Sequence, residues 1–230
     1  MSDRKHDKPV WSIVLSGGEG ERLRPFVQRW LGRPKPKQYC TFVGRRSMLQ
    51  HTIARANVIS ETSKTVVVIG RHHLSEVILQ LGHEDPRNII LQPKNRGTAV
   101  GIFLALSQVD IQDPEATVVI FPSDHFVFPE YRILEAVRSA VRATSRFEER
   151  IFLLGVPPDR PEVDYGWIQR RELLGWADEF RVDTVESFLE KPSRGVCKSA
   201  MKAGALWNTM VIISKAELLW RLGRKVFQEM

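Results

Sequence analysis

The sequence predicts an α/β protein with three layers around a mainly parallel, mixed sheet. Short β-branched runs alternate with amphipathic segments as far as Ile151, and the rhythm then changes to strands divided by turns. The 43% hydrophobic and 27% charged content is that of an ordinary globular chain, so neither disorder nor a fibrous repeat is indicated. Residues 10–15, 65–69, 88–91 and 117–121 read as buried strands. Helices are expected at 47–57, 74–81, 98–108 and 130–144, the third carrying Val100, Phe103, Leu104 and Leu106 on its apolar stripe. Strand and helix in alternation argue a parallel sheet covered on both faces. Beyond it, 151–156, 165–170 and 180–189 read as strands of a mixed extension. A helix at 193–203, a returning strand at 206–213 and a final helix at 216–227 complete the order.

At 230 residues the whole chain reads as one domain, 1–230, able to bury a substantial core. No apolar run approaches the roughly 20 residues of a membrane span, and the first residues form no apolar signal core. No membrane partner is expected, and the cytoplasm is the default location. Cys40 and Cys197 lie far apart, matching neither a zinc spacing nor a disulfide framework, and read as inert thiols. The formal charge of +7 attracts anions. Without a basic block interleaved with aromatics, phosphorylated small molecules fit it better than nucleic acid.

Ligands of open α/β sheets collect beyond the carboxyl ends of the strands, and the loops there hold the unusual residues. The first strand runs into Ser16-Gly17-Gly18-Glu19-Gly20-Glu21-Arg22-Leu23-Arg24-Pro25. Missing side chains at Gly17, Gly18 and Gly20 let backbone N–H groups approach an anion, and Arg22 and Arg24 can grip phosphate. The loop lacks the third glycine of a dinucleotide fingerprint and the Gly-Lys-Ser/Thr ending of a P-loop. Taken alone it is equally a strand-to-turn connection with solvated arginines. Arg33-Pro34-Lys35-Pro36-Lys37-Gln38-Tyr39 follows, where prolines hold the charges on an extended segment.

Together these stretches resemble the signature of the sugar-1-phosphate nucleotidylyltransferases, a glycine-rich Leu-x-Gly-Gly-x-Gly-x-Arg-Leu loop followed by Pro-Lys-Gln-Phe, and within them the mannose-1-phosphate guanylyltransferase branch. Further stretches follow in that family's order. Gln92-Pro93-Lys94-Asn95-Arg96-Gly97-Thr98-Ala99 looks like the segment facing the base, and Pro122-Ser123-Asp124-His125 like the metal turn. Tyr165-Gly166-Trp167-Ile168, Glu190-Lys191-Pro192 and Trp207-Asn208-Thr209 look like the sugar-side motifs. The resemblance implies a Rossmann-like nucleotide-diphospho-sugar transferase fold. It also implies transfer of a nucleotidyl group, GMP from GTP, to a hexose-1-phosphate, here mannose-1-phosphate, with release of pyrophosphate.

By the same resemblance Arg22, Lys37 and Asp124 are the catalytic candidates, with Asp124 also holding Mg²⁺. Gly17, Gly18, Gly20, Gln92, Asn95, Arg96, Gly97, Thr98 and Ser123 would bind the nucleotide. Gly166 would leave room for the sugar, Glu190 and Asn208 would bind its hydroxyls, and Lys191 its phosphate. A hard carboxylate oxygen suits Mg²⁺, although Asp124 alone reads as readily as a turn residue and Glu190-Lys191 as a solvated pair. His125 reads as structural. The substrates are the expected partners, and a homo-oligomer is allowed.

Three departures from the family pattern stand out. Glu21 replaces a threonine beside the expected phosphate, and Met210 replaces a glycine after Trp207-Asn208-Thr209. The third is that the family's second metal-binding aspartate has no counterpart, since Asp183 is the last aspartate, so the catalytic domain is expected to be incomplete at its C-terminal side. The alternative reading is therefore a nucleotide- or sugar-phosphate-binding module with little or no turnover.

Overall fold

A computed structural model describes residues 8–82, 88–94 and 96–228. The four β-branched runs become the parallel strands β1 (Val10–Ser16), β2 (Thr65–Gly70), β3 (Ile89–Gln92) and β4 (Thr117–Pro122), laid side by side as β3-β2-β1-β4. Because side chains alternate across a strand, each run feeds two cores. Val14, Val67, Ile69, Val119 and Phe121 point to one face, where α2 (Met48–Ile59), α3 (Leu74–Leu81) and α5 (Glu130–Ala143) supply Leu49, Ile53, Val77, Leu81 and Val137. Trp11, Ile13, Val66, Val68, Val118 and Ile120 point to the other. There α4 (Thr98–Gln112) and α7 (Ala216–Gln228) supply Ile102, Leu106, Val109 and Leu219. The three-layer expectation holds.

The second half is antiparallel. β8 (Leu206–Lys215) pairs with β4 through its last residues and with β6 (Gly166–Ala177) through its first, while β5 (Phe152–Val156) pairs along it. β7 (Phe180–Glu190) closes a hairpin on β6. α6 (Arg194–Lys202) covers a small separate core of Trp167, Cys197, Ala200 and Ala205. Both cysteines are buried and free.

Three local features differ from the sequence reading. Residues 24–31 form a helix, α1 (Arg24–Leu31), where the sequence suggests only a loop. Its start is set by a proline in the first turn and its end by Gly32 at φ 70°. Lys37 does not lie on an extended segment: Pro36 is extended, but Lys37–Tyr39 turn into one 3-10 turn. β6 runs on to Ala177 instead of stopping near Arg170, because the hairpin is shifted by irregularities and largely exposed there, which erases the alternation that marks a strand. Asn95 lies outside the described residues.

Strand order reverses between β1 and β4, since β2 and β3 lie on one side of β1 and β4 on the other. At such a switch point the loops leaving the two strands part and open a crevice.

Candidate active site

The glycine loop leaves β1 at this crevice and is held from behind by the segment that follows α1. Gln38, 2% exposed, donates from Nε2 to the carbonyl oxygens of Ser16 at 3.2 Å and Gly18 at 2.6 Å. The Tyr39 hydroxyl donates to the Ser16 carbonyl at 2.9 Å. Gly20 sits at φ 65°, where a Cβ would come within 3.1 Å of the Lys37 backbone nitrogen, so glycine is favoured both by conformation and by space. The loop shape is thus fixed by buried side chains, whereas Gly17, Gly18, Gly20 and Arg22 line the cleft.

Across the crevice, Ser123 and Asp124 leave β4. The Ser123 N–H donates to the Leu15 carbonyl at 3.1 Å, tying this turn to the end of β1. Lys37 Nζ meets Asp124 Oδ2 in an ion pair with both side chains mostly shielded, 30% and 25% exposed. His125 Nε2 lies 3.7 Å from Asp124 Oδ1. Burial holds His125 below the usual histidine range, the Asp124 charge opposing this and Lys37 and Arg55 reinforcing it. His125 also lines the cleft, its side chain 38% exposed.

Gln92 ends β3 as a buried side chain, 5% exposed, with its Oε1 close to Gly17 and Gly101 and its Nε2 without a hydrogen-bond partner among the described residues. A buried amide donor left unsatisfied costs about 1–3 kcal/mol, so a ligand acceptor at this point would relieve a standing penalty. Gly97, at φ 89°, precedes the first turn of α4, and Gly97 and Thr98 line the cleft, bringing a helix N-terminus to it. Arg96 precedes this turn and is not part of the lining.

The residues expected on the sugar side come from the antiparallel half. Asn208 Oδ1 accepts from the Met210 N–H at 3.0 Å, and Thr209 Oγ1 donates to the Leu154 carbonyl at 2.7 Å. Met210 adopts φ 56°, a conformation natural to glycine, so the chain takes a glycine-like bend two residues after Asn208 with a methionine in place. Glu190 and Lys191 pair at 3.3 Å, both mostly exposed, and Lys191 is itself at φ 43°. Such backbones cost on the order of 1–3 kcal/mol and gather at functional sites. At Gly166 the missing side chain makes room for the Phe188 ring, 2.5 Å from where a Cβ would stand, so packing within the hairpin also requires glycine there.

One open cleft of about 1950 Å³ is lined by these groups, from the glycine loop through Asp124 to Gly166, Glu190, Lys191 and Asn208. It also contains Asp164, which no sequence motif singles out. Its Oδ1 is 3.5 Å from Arg22 Nη1, linking the loop to the far wall. No spacing signal marks such a pair, because it joins two distant segments. Gln38 and Tyr39 lie in a recognised motif, but their hold on the loop from behind arises only in the folded chain.

The nucleotidyl transferase family matches residues 11–226. A mannose-1-phosphate guanylyltransferase of Escherichia coli is 32% identical over 225 residues, spanning 95% of this chain and 44% of its own. The mannose-1-phosphate guanylyltransferase RfbM of Salmonella typhimurium strain LT2 is 33% identical over 211 residues, 89% of this chain and 41% of its own. A solved structure described as mannose-1-phosphate geranyltransferase from Thermus thermophilus superimposes with a TM-score of 0.80 at 25% identity, over 94% of this chain and 60% of that one. The chain spans less than half the length of these curated relatives. Family match, relatives and fold agree on one assignment: the chain belongs to the nucleotidyl transferase family.

Proposed function

We propose that this cleft transfers GMP from GTP to mannose-1-phosphate, giving GDP-mannose and pyrophosphate. The observation that carries the reading is the Lys37–Asp124 pair at the switch point, with the glycine loop on one side and Asn208, Glu190 and Lys191 on the other. The guanine and mannose assignments rest on the relatives' names.

Both reactants are anions, and unit charges ~4 Å apart interact by roughly 4 kcal/mol at an effective dielectric of ~20. The loop amides and Arg22 would receive the outer phosphates, and Lys37 the α-phosphate. Gln92 Nε2 would donate to the base. Asn208 and Glu190 would hold the sugar hydroxyls, and Lys191 its phosphate. A phosphate oxygen of the sugar then attacks the α-phosphorus in line, the bond to pyrophosphate breaks, and no general base is needed because the nucleophile is already anionic. Asp124 lines the cleft with a hard carboxylate, which fits Mg²⁺, an ion that commonly binds through one or two carboxylates with water and substrate phosphates. Bound there, the ion would neutralise phosphate charge.

The test is pyrophosphate release by the purified chain across four nucleoside triphosphates and several hexose-1-phosphates, with and without Mg²⁺. Mg²⁺-dependent release that is highest with GTP and mannose-1-phosphate is expected. Nucleotide binding without release would favour the second reading, a binding module. That reading draws on the pairing itself, which leaves Lys37 and Asp124 neutralising each other until a ligand parts them.

A further inference from the structure

Beside the cleft, and outside its lining, Glu19, His72 and His73 converge. Glu19 is the side chain between Gly18 and Gly20 of the loop, and the histidines sit in the turn that directly follows β2. Glu19 Oε1 is 2.7 Å from His72 Nε2, and Glu19 Oε2 is 3.8 Å from His73 Nε2. The two imidazole centroids are 4.0 Å apart. One donor atom from each of the three residues falls within 4.8 Å of the others. A tetrahedral ion with bonds of about 2.0–2.1 Å needs donors roughly 3.3 Å apart. Glu19 and His72 are exposed enough to close the difference, at 42% and 56%.

His73 is the buried member of the group, 4% exposed and packed edge-on against Tyr39. Its Nε2 is the ring nitrogen that faces Glu19, so an ion held there would be ligated through Nε2, and ligation would fix the tautomer and orientation of a ring already held by packing. We propose that Glu19, His72 and His73 form a binding site for a borderline transition-metal ion of the Zn²⁺ class, which clasps the glycine loop to the end of β2. Two imidazoles and one carboxylate leave a fourth position for water. Nitrogen donors select Zn²⁺, Co²⁺ or Ni²⁺ over Mg²⁺. The site is therefore separate from the Asp124 carboxylate and does not depend on the reaction proposed for the cleft.

The experiment uses the full chain freed of metal by chelation and titrated with Co²⁺ alone. Tetrahedral d–d absorption saturating at one equivalent is expected. Zn²⁺, but not Mg²⁺, should raise the thermal midpoint and slow amide exchange of residues 17–20. His72→Ala, chosen because its side chain is exposed, and Glu19→Gln should each weaken Co²⁺ binding by at least the roughly 10–100-fold that loss of an outer-shell partner produces. Asp124→Asn should leave the titration unchanged. Equal Co²⁺ titrations for the wild type and His72→Ala, or loss of the signal in Asp124→Asn alone, would overturn the proposal.

Discussion

Lys37 and Asp124 come from loops far apart in sequence, yet each is the other's ion partner. Removing either leaves a partly shielded charge facing the cleft, so each single change both deletes a group and disturbs its mate. Lys37→Ala and Asp124→Ala should each lower kcat/KM for pyrophosphate release by about two to three orders of magnitude, roughly 3–4 kcal/mol. The double variant should fall far short of the product of the two losses, since groups acting as a unit are not additive. Independent, multiplicative losses would mean that the pair does not work together. A second residue-scale test concerns Tyr39, 1% exposed, whose phenol burial pushes up to about 12 from 10.0. Between these values the unfolded chain gives up the proton that the folded chain keeps. The contribution is thus fully present below pH 10 and lost as pH rises through about 12, a change of about 2–3 kcal/mol. At pH 8 Tyr39→Phe should be less stable by ~1 kcal/mol, the worth of its hydrogen bond to Ser16. That gap should shrink or reverse near pH 12 in urea unfolding. A gap constant with pH would show that Tyr39 does not titrate as its burial demands.

At the scale of elements, two helical glycines test how tightly the layers fit. Gly223 of α7 faces α4, and an added Cβ would lie 2.1 Å and 2.2 Å from Phe103 ring atoms, while Gly195 of α6 has nothing within 4 Å. Alanine gains up to about 1 kcal/mol in helix propensity at either site. At Gly223, overpacking of about 1–3 kcal/mol should exceed it. Gly195→Ala should therefore stabilise by about 0.4–1 kcal/mol and Gly223→Ala destabilise, both read from denaturant midpoints. The same contrast explains what the sequence can disclose. The strand runs are legible because they are continuous β-branched stretches buried on both faces, and α2 because the Ser47–Gln50 capping box marks its start. α1 escapes the pattern because Arg24-Pro25 reads as the tail of the glycine loop, although Pro25 is also a helix-start residue. The far half of β6 escapes it because an exposed, irregular hairpin carries no alternation. Within the site, residues on contiguous motifs are visible one by one. The Arg22–Asp164 and Glu19–His72–His73 groupings exist only through tertiary folding.

For the whole molecule, the formal charge of +7 and the crevice at the switch point would act together on the proposed substrates, all of which are anions. Basic side chains outnumber acidic ones along the cleft, and Lys37 and Arg22 are each engaged by a carboxylate that a phosphate bound as proposed would have to displace. Long-range attraction should therefore govern arrival, whereas the reacting geometry depends on short, shielded contacts that salt screens much less. Raising KCl from about 0.01 M to about 1 M shortens the Debye length from roughly 30 Å to 3 Å. At constant free Mg²⁺, kcat/KM for the triphosphate should then fall by about tenfold or more, while kcat stays near its low-salt value. A parallel fall in both would instead show that salt breaks contacts within the site. No change in either would show that the net positive charge lies too far from the cleft to steer its ligands.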